Sequence, residues 1–363
     1  MTGLYIHIPF CEAICHYCDF VKRVPKSEAF IDEYLDALLI EIANMNKEVK
    51  HLDTIYVGGG TPSILNLAQI ERLLKPLQHF QVKEYTFEVN PESYSTEKGL
   101  LLKKMGVNRI SLGVQTFDQD HLVKLNRKHT NQMVFDAIDH LKSIQIGAIS
   151  VDLIYALEHQ TTNTLKNDLQ TLIDLDIDHI SAYSLILEKN TYFHYQYNRN
   201  QFKPLDEDTE VTMYDMVIDT LTEHGFDHYE ISNFSKPGFE SLHNMLYWTQ
   251  QPYIGLGTGA HGFDGTYRTV QTKAMGKYLK GEPPQKTFQD EDTLRNDHLL
   301  FLLRMTKGID LSMVQSRYKK DLFELYPSLH KVYEDGLVEI TNNHLRLTRR
   351  GLQLGNLVFM VFI

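Results

Sequence analysis

The stretch Ile6-His-Ile-Pro-Phe-Cys-Glu-Ala-Ile-Cys-His-Tyr-Cys-Asp-Phe20 holds all three cysteines of the chain, Cys11, Cys15 and Cys18, in C-x3-C-x2-C spacing. They sit on a short loop directly after a strand-like run, Leu4–Ile8. Three thiols this close in sequence can converge on one metal centre. A cubane iron–sulfur cluster takes four cysteines as a rule, so three would leave one iron open to another ligand. A closed zinc site needs four protein ligands, and His16 is the residue that could complete one. Zinc ligands, however, usually come as separated C-x2-C pairs. The odd cysteine number, with no secretory segment ahead of the loop, argues against a disulfide.

Outward from this loop, apolar strand patterns alternate with helical ones. Ser27–Met45 repeats Phe30, Ile31, Tyr34, Leu35, Leu38, Leu39 and Ile42 at helical spacing, with Ser27 as N-cap. Strand Asp53–Val57 runs into Gly58-Gly-Gly-Thr-Pro62. Helix Leu67–Leu77, strand Tyr85–Val89, helix Thr96–Met105 and strand Arg109–Val114 follow. A helical pair near Gln119–Leu125 and Asn131–Ile144 leads to strand Ala148–Leu153, helix Thr162–Asp174 and strand His179–Leu185. Six strands separated by helices read as parallel βα units. Six are too few to close an eight-fold barrel, so the pattern predicts an α/β fold with an open, partial (β/α)6 TIM-like barrel. In such folds functional residues gather at the C-terminal ends of the strands. The cysteine loop, Gly58–Pro62, Glu88, Gln115 and Asp152 all fall there.

Past Ile186 the rhythm breaks. Thr191–Gln201 reads as a loop, Asp206–His224 as a helix closed by Gly225, and Phe226–Ile231 as a strand. Gly255–Gly262 is glycine-rich, and Gly281-Glu-Pro-Pro284 marks a boundary. Beyond Phe288 the pattern is three helices, short strands at Leu337–Thr341 and His344–Leu347, and a last helix from Arg349: a small helical, winged-helix-like unit. The division expected is 1–186 for the barrel core, 187–284 for an extension and 285–363 for the C-terminal unit.

Composition sets limits. With 363 residues, 42% hydrophobic and 23% charged, the chain can form one large domain and a smaller one. A net charge of −11 argues against nucleic acid as a partner, since phosphate neutralisation needs basic surface. No apolar run is long enough to span a bilayer, so no stable membrane insertion is expected. The N-terminus carries no targeting pattern, which with reduced thiols points to a cytoplasmic protein.

The cysteine spacing, with Tyr17 ahead of the last cysteine, resembles the cluster loop of the radical SAM superfamily. The preceding Tyr-Ile-His-Ile-Pro-Phe narrows the resemblance to the HemN-like group, which contains oxygen-independent coproporphyrinogen III oxidases and a branch of haem chaperones. The resemblance implies a [4Fe-4S] cluster on Cys11, Cys15 and Cys18. It further implies S-adenosylmethionine on the open iron, cleaved reductively to a 5′-deoxyadenosyl radical in members that are enzymes. Residue by residue it implies contacts to that cofactor from Tyr5, Tyr17, Gly59, Gly60, Thr61, Glu88, Gln115, Arg127 and Asp152. Taken singly, each has a plainer reading: Gly58–Pro62 as a tight turn, Glu88 as a helix-dipole partner or surface acid.

The stretch His243-Asn-Met-Leu-Tyr-Trp248 contains the only tryptophan. It fits the H-N-x-x-Y-W pattern that the resemblance connects with haem, implying His243, Tyr247 and Trp248 as haem contacts; His can be an axial haem ligand and aromatic rings can wall a porphyrin. The plainer reading is an aromatic segment packed around a hydrogen-bonded histidine. Glu230–Phe234 and Gly259-Ala-His-Gly262 also resemble the chaperone branch, with His261 a further polar contact.

Two functions follow. One is an oxidase that decarboxylates coproporphyrinogen III; the other is a chaperone that carries haem to acceptor apo-proteins, respiratory ones among them. The oxidases continue C-x-C after the third cysteine and carry an extension before the first strand. Here Cys18 is followed by Asp19-Phe20, the strand starts at residue 4, and H-N-x-x-Y-W is present. These features favour the chaperone, a reading that assigns no catalytic residue for oxidase chemistry and is compatible with cofactor cleavage and with a homodimer. One departure stands out. Family members continue Gly-Leu-Pro-Gly-Gln after the fifth strand, whereas this chain has Ala156-Leu-Glu-His-Gln160, which is expected to stiffen and reshape a loop at the barrel mouth.

Overall fold

The structure, a computed structural model, describes residues 1–363. Its first half realises the six βα units: β1 (Gly3–Ile8), α1 (Glu28–Glu48), β2 (Thr54–Gly59), α2 (Leu67–Leu74), β3 (Glu84–Val89), α3 (Thr96–Lys104), β4 (Arg109–Gln115), α4 (Gln119–Lys124), α5 (Asn131–Ser143), β5 (Ala148–Tyr155), α6 (Thr162–Asp174) and β6 (His179–Ser184). Side-chain oxygens of Ser27, Asn66, Ser95, Thr130 and Thr161 accept N–H groups in the first turns of α1, α2, α3, α5 and α6, supplying acceptors the helix cannot provide itself. Strand β4 is buried along its whole length, as expected of a parallel strand covered on both faces.

After β6 come α7 (Tyr192–Tyr197), α8 (Glu207–Glu223), β7 (Asp227–Glu230), β8 (Asn233–Ser235), α9 (Leu242–Trp248), β9 (Tyr253–Leu256), β10 (His261–Phe263), β11 (Tyr267–Val270), α10 (Met275–Tyr278) and β12 (Gln285–Phe288). Helix α7 lies where a loop was expected; six residues capped by the Thr191 hydroxyl are too short to show a period. All these strands join one twelve-stranded sheet in the order β12-β11-β10-β9-β1-β2-β3-β4-β5-β6-β8-β7. Strands β1 to β6 are neighbours in chain order and parallel; β9 extends them in parallel at β1, and β8 caps the other edge antiparallel to β6. The two ends of the sheet, β12 and β7, do not pair, so the barrel is open. The sheet also runs past the boundary expected at 284, through β12.

Register fixes what faces inward. Tyr5 lies opposite Tyr56, Glu88 opposite Ser111, Gly113 opposite Asp152 and Asp152 opposite Ser181. Polar groups of neighbouring strands therefore share one face, while a core of 55 buried residues fills the space under the helices. A second core of 14 residues holds the C-terminal unit: α11 (Glu291–Leu302), β13 (Ile309–Asp310), α12 (Leu311–Tyr318), α13 (Leu322–Leu325), α14 (Leu329–Glu334), β14 (Val338–Thr341), β15 (His344–Leu347), α15 (Arg349–Gln353) and α16 (Gly355–Phe359). Four helices precede the hairpin, one more than the sequence pattern predicts. The unit is tied back by Arg349, which donates to Asp215 on α8 at 2.5 Å and to Asp219 at 2.9 Å. No helix is long and apolar enough to cross a membrane.

Candidate functional site

The cysteine loop lies over the ends of β1 and β2. Gly60 donates its N–H to Ile8 O and Thr61 to Phe10 O, both at 2.8 Å. A Cβ on Gly60 would come within 2.8 Å of the Cys11 sulfur and of the Phe10 carbonyl, so only glycine lets the loop sit this close. Gly59 has φ +122° and donates to Glu88 Oε2 at 3.0 Å. Cys11 is buried, and Cys15 and Cys18 are half-buried. Burial pushes the Cys11 thiol up to about 11, so a neighbouring cation is needed to favour its thiolate. The Arg127 guanidinium points at Cys15 Sγ across 3.8 Å and donates to Gly113 O at 2.5 Å. Among His, Cys, Asp and Glu, no three side chains stand close enough to hold a single ion. His16 is packed on Tyr192, with ring centroids 4.2 Å apart.

Beside this loop a cavity of about 360 Å³ opens inside the barrel. Tyr17, Cys18, Glu88, Gln115 and Asp152 line it, together with Tyr56, Ser111, Ser181 and Tyr183, which the sequence reading passed over. Gln115 reaches the cavity from a bulge in β4 and holds φ 73°. Left-handed backbone at a non-glycine residue is costly, and here it aims the side chain at the cavity. Glu88 accepts from the Tyr56 hydroxyl at 2.8 Å and Asp152 from Ser111 at 3.3 Å. Burial raises Glu88 to about 7 despite the Tyr56 bond, and burial raises Asp152 to about 6. Two buried acids poised near neutrality, with no cation bonded to either, suit a positively charged ligand.

Tyr5 is placed elsewhere. It lines a second cavity of about 430 Å³, separated from the first by Asp19 and Phe20, which line both. Tyr247, Trp248, Tyr253, Phe263 and Phe301 give this cavity aromatic walls, and His261, Arg268 and Lys273 give it polar groups. Of the H-N-x-x-Y-W residues, Tyr247 and Trp248 line this cavity and His243 does not. Only 1% of His243 is exposed. Its Nδ1 is bonded to the Thr54 hydroxyl at 2.7 Å and its Nε2 to the Tyr247 hydroxyl at 2.8 Å. It packs at the beginnings of β1 and β2, where a Cβ on Gly3 would come within 3.1 Å of its ring. As folded, His243 is the hydrogen-bonded core histidine of the plainer reading.

The sequence reading also missed what holds α9. Glu84 accepts the N–H groups of Leu242 and His243 at 2.9 Å and faces Arg109 at 3.7 Å, with both side chains nearly wholly buried. A charged residue at the first position of β3 and another at the first position of β4 were the available signals. The departure at Ala156–His159 carries two left-handed residues. Ala156 has φ 58° and His159 φ 63°, a conformation glycine adopts freely and these residues hold at a steric cost. Glu158 adds a tie, accepting from the Lys203 N–H at 2.7 Å.

Residues 5–172 match the radical SAM superfamily and residues 290–354 the HemN C-terminal domain. The solved structure of coproporphyrinogen III oxidase (HemN) from Escherichia coli, a radical SAM enzyme, superposes with a TM-score of 0.87 at 24% identity. That match covers 99% of this chain and 89% of that one, and it shows a shared fold. The protein named heme chaperone HemW from Bacillus subtilis is 39% identical, over 100% of this chain and 99% of its own length. Its namesake from Lactococcus lactis is 38% identical over 100% and 97%. With that identity along its whole length, the chain belongs to the HemW family of radical SAM proteins.

Proposed function

We propose that the protein binds haem and hands it to acceptor apo-proteins, from a scaffold that holds a [4Fe-4S] cluster and S-adenosylmethionine. The observation that carries this reading is the full-length identity to relatives named haem chaperones. An aromatic cavity next to the cluster loop supports it.

In this reading Cys11, Cys15 and Cys18 hold the cluster; Gly60 leaves the room and Arg127 offsets thiolate charge. When bound, the cluster and S-adenosylmethionine supply one-electron chemistry. Around them the chain's own residues bind and orient. Gly59, Thr61 and Tyr17 border the loop. Gln115 offers an amide that can donate and accept, and Glu88 and Asp152 give up their protons to receive the cofactor's positive charges. Tyr5 lines the haem cavity, where Tyr247 and Trp248 provide stacking surface, with His243 behind them fixing the Tyr247 hydroxyl. The protein works in the cytoplasm, and its acceptors include respiratory haem proteins.

The test is to reconstitute the cluster without oxygen and offer two substrates. With coproporphyrinogen III, S-adenosylmethionine and a reductant, no protoporphyrinogen is expected. With haem, uptake followed by transfer to an apo-haem protein is expected. Decarboxylation at a catalytic rate, without haem transfer, overturns the reading in favour of the oxidase.

A further inference from the structure

The second cavity has a chemistry of its own. Its walls are rings: Tyr247 and Tyr253 meet edge to face at 4.7 Å, and Trp248 approaches Phe301 at 6.4 Å. The Trp248 indole nitrogen is buried with no partner, and the Arg304 guanidinium covers the ring from 4.5 Å. Flat aromatic surface of this kind takes a flat apolar ligand. Two cations stand at its rim. Arg268 lies 5.7 Å from the Phe301 ring and shares its charge with Asp297 at 2.7 Å, leaving its Nε without a partner. Lys273 lines the same space and is exposed. The opposing charge in the wall is Asp19.

Two histidines line this space. His7 is buried with both ring nitrogens bonded, Nδ1 to the Tyr5 hydroxyl at 2.9 Å and Nε2 to the Val21 carbonyl at 2.7 Å, which leaves His261 as the histidine free to bind iron. His261 starts β10, is exposed, and lines the cavity. It is held there by close strand packing: a Cβ on Gly255 would collide with the His261 carbonyl at 1.9 Å. Partial burial, then the charges of Lys273 and Arg268, lower its pKa. The imidazole is therefore neutral at pH 7, as ligation requires. His243, by contrast, has both nitrogens bonded and no face on the cavity.

We infer that haem, taken as the cargo of the function proposed above, occupies this second cavity with its iron on His261 and its two propionates toward Arg268 and Lys273. His243 then acts as a positioning residue that fixes Tyr247 in the wall.

The experiment is an absorbance titration of the full chain with haemin and, separately, with iron-free protoporphyrin IX. His261→Ala is expected to weaken haemin roughly tenfold or more, to abolish the imidazole-ligated spectrum, and to leave protoporphyrin binding unchanged; added imidazole should restore the spectrum. R268Q and K273Q should weaken both porphyrins. If His261→Ala keeps the wild-type spectrum and affinity, the site is wrong and the chaperone reading stands. If the wild-type protein takes up no haemin, the chaperone reading itself falls.

Discussion

The two cavities share a wall and almost nothing else. The first is lined mainly by hydroxyls and carboxylates from β2 to β6, brought together because consecutive parallel strands bring their ends to one place, with Ser241 and Asn244 at the start of α9 added from outside the βα units. The second is lined by rings and cations from β1, α9, β10, β11 and α11, which meet only because β9 pairs with β1 across 250 residues, Gly3 opposite Tyr253. A repeated local unit makes its own site, whereas a site at a sheet edge depends on one distant pairing. The first cavity should therefore feel changes in the chain beyond α8 only through Ser241 and Asn244, and the second should depend on that part for most of its wall.

Replacing any of Cys11, Cys15 or Cys18 by Ala is expected to have the largest effect: complete loss of reconstituted iron, with porphyrin uptake by the second cavity retained. Iron analysis and a porphyrin titration on the same sample check it, and loss of both would mean the cavities are one site. Glu84→Ala should cost about 3–5 kcal/mol in urea unfolding, because it leaves Arg109 charged, buried and unpaired. Glu84 also anchors α9, which gives the second cavity its Tyr247 and Trp248 walls and the first only Ser241 and Asn244, so the variant should lose porphyrin binding more than cofactor binding. Equal loss would erase the distinction.

Next is a pH effect confined to the first cavity. A cationic ligand favours the ionised forms of Glu88 and Asp152, whose buried acids sit near 7 and 6. Below those values the ligand must displace protons, so S-adenosylmethionine affinity should rise from pH 5.5 to 7.5, by about tenfold. Glu88→Gln should flatten the upper part of that profile, and porphyrin binding should show no such rise. A flat wild-type profile by calorimetry would remove these carboxylates from the ligand's charge. The smallest effect concerns the barrel mouth. Ala156→Gly and His159→Gly should each stabilise the fold by about 0.5–1 kcal/mol, since both residues hold left-handed turns. A loss of stability would show that the loop relies on those side chains.

How far the sequence could be read follows the same divide. The βα rhythm and the strand-end positions of Glu88 and Gln115 were legible because period and topology are local; Asp152, read at the end of its strand, lies three residues inside β5, which runs on to Tyr155. The bulge that turns Gln115 inward was not, since nothing in Gly113-Val-Gln115 announces an extra residue. Helix α7 was too short to show a period. The left-handed turns at Ala156 and His159 were not legible either, because sequence reports intrinsic preference and neither residue favours them. For His243, the pattern H-N-x-x-Y-W fixed Tyr247 and Trp248 on one helix, but only the fold shows that Thr54 occupies the histidine.

Asp19 and Phe20, one and two residues beyond Cys18, belong to both walls. Any movement of that segment when one cavity fills alters the surface that the other presents. Thermodynamic linkage then leaves no freedom: if cofactor changes the protein's hold on haem by some factor, haem changes its hold on cofactor by the same factor. Loading and release of one ligand would thereby be readable as the binding curve of the other.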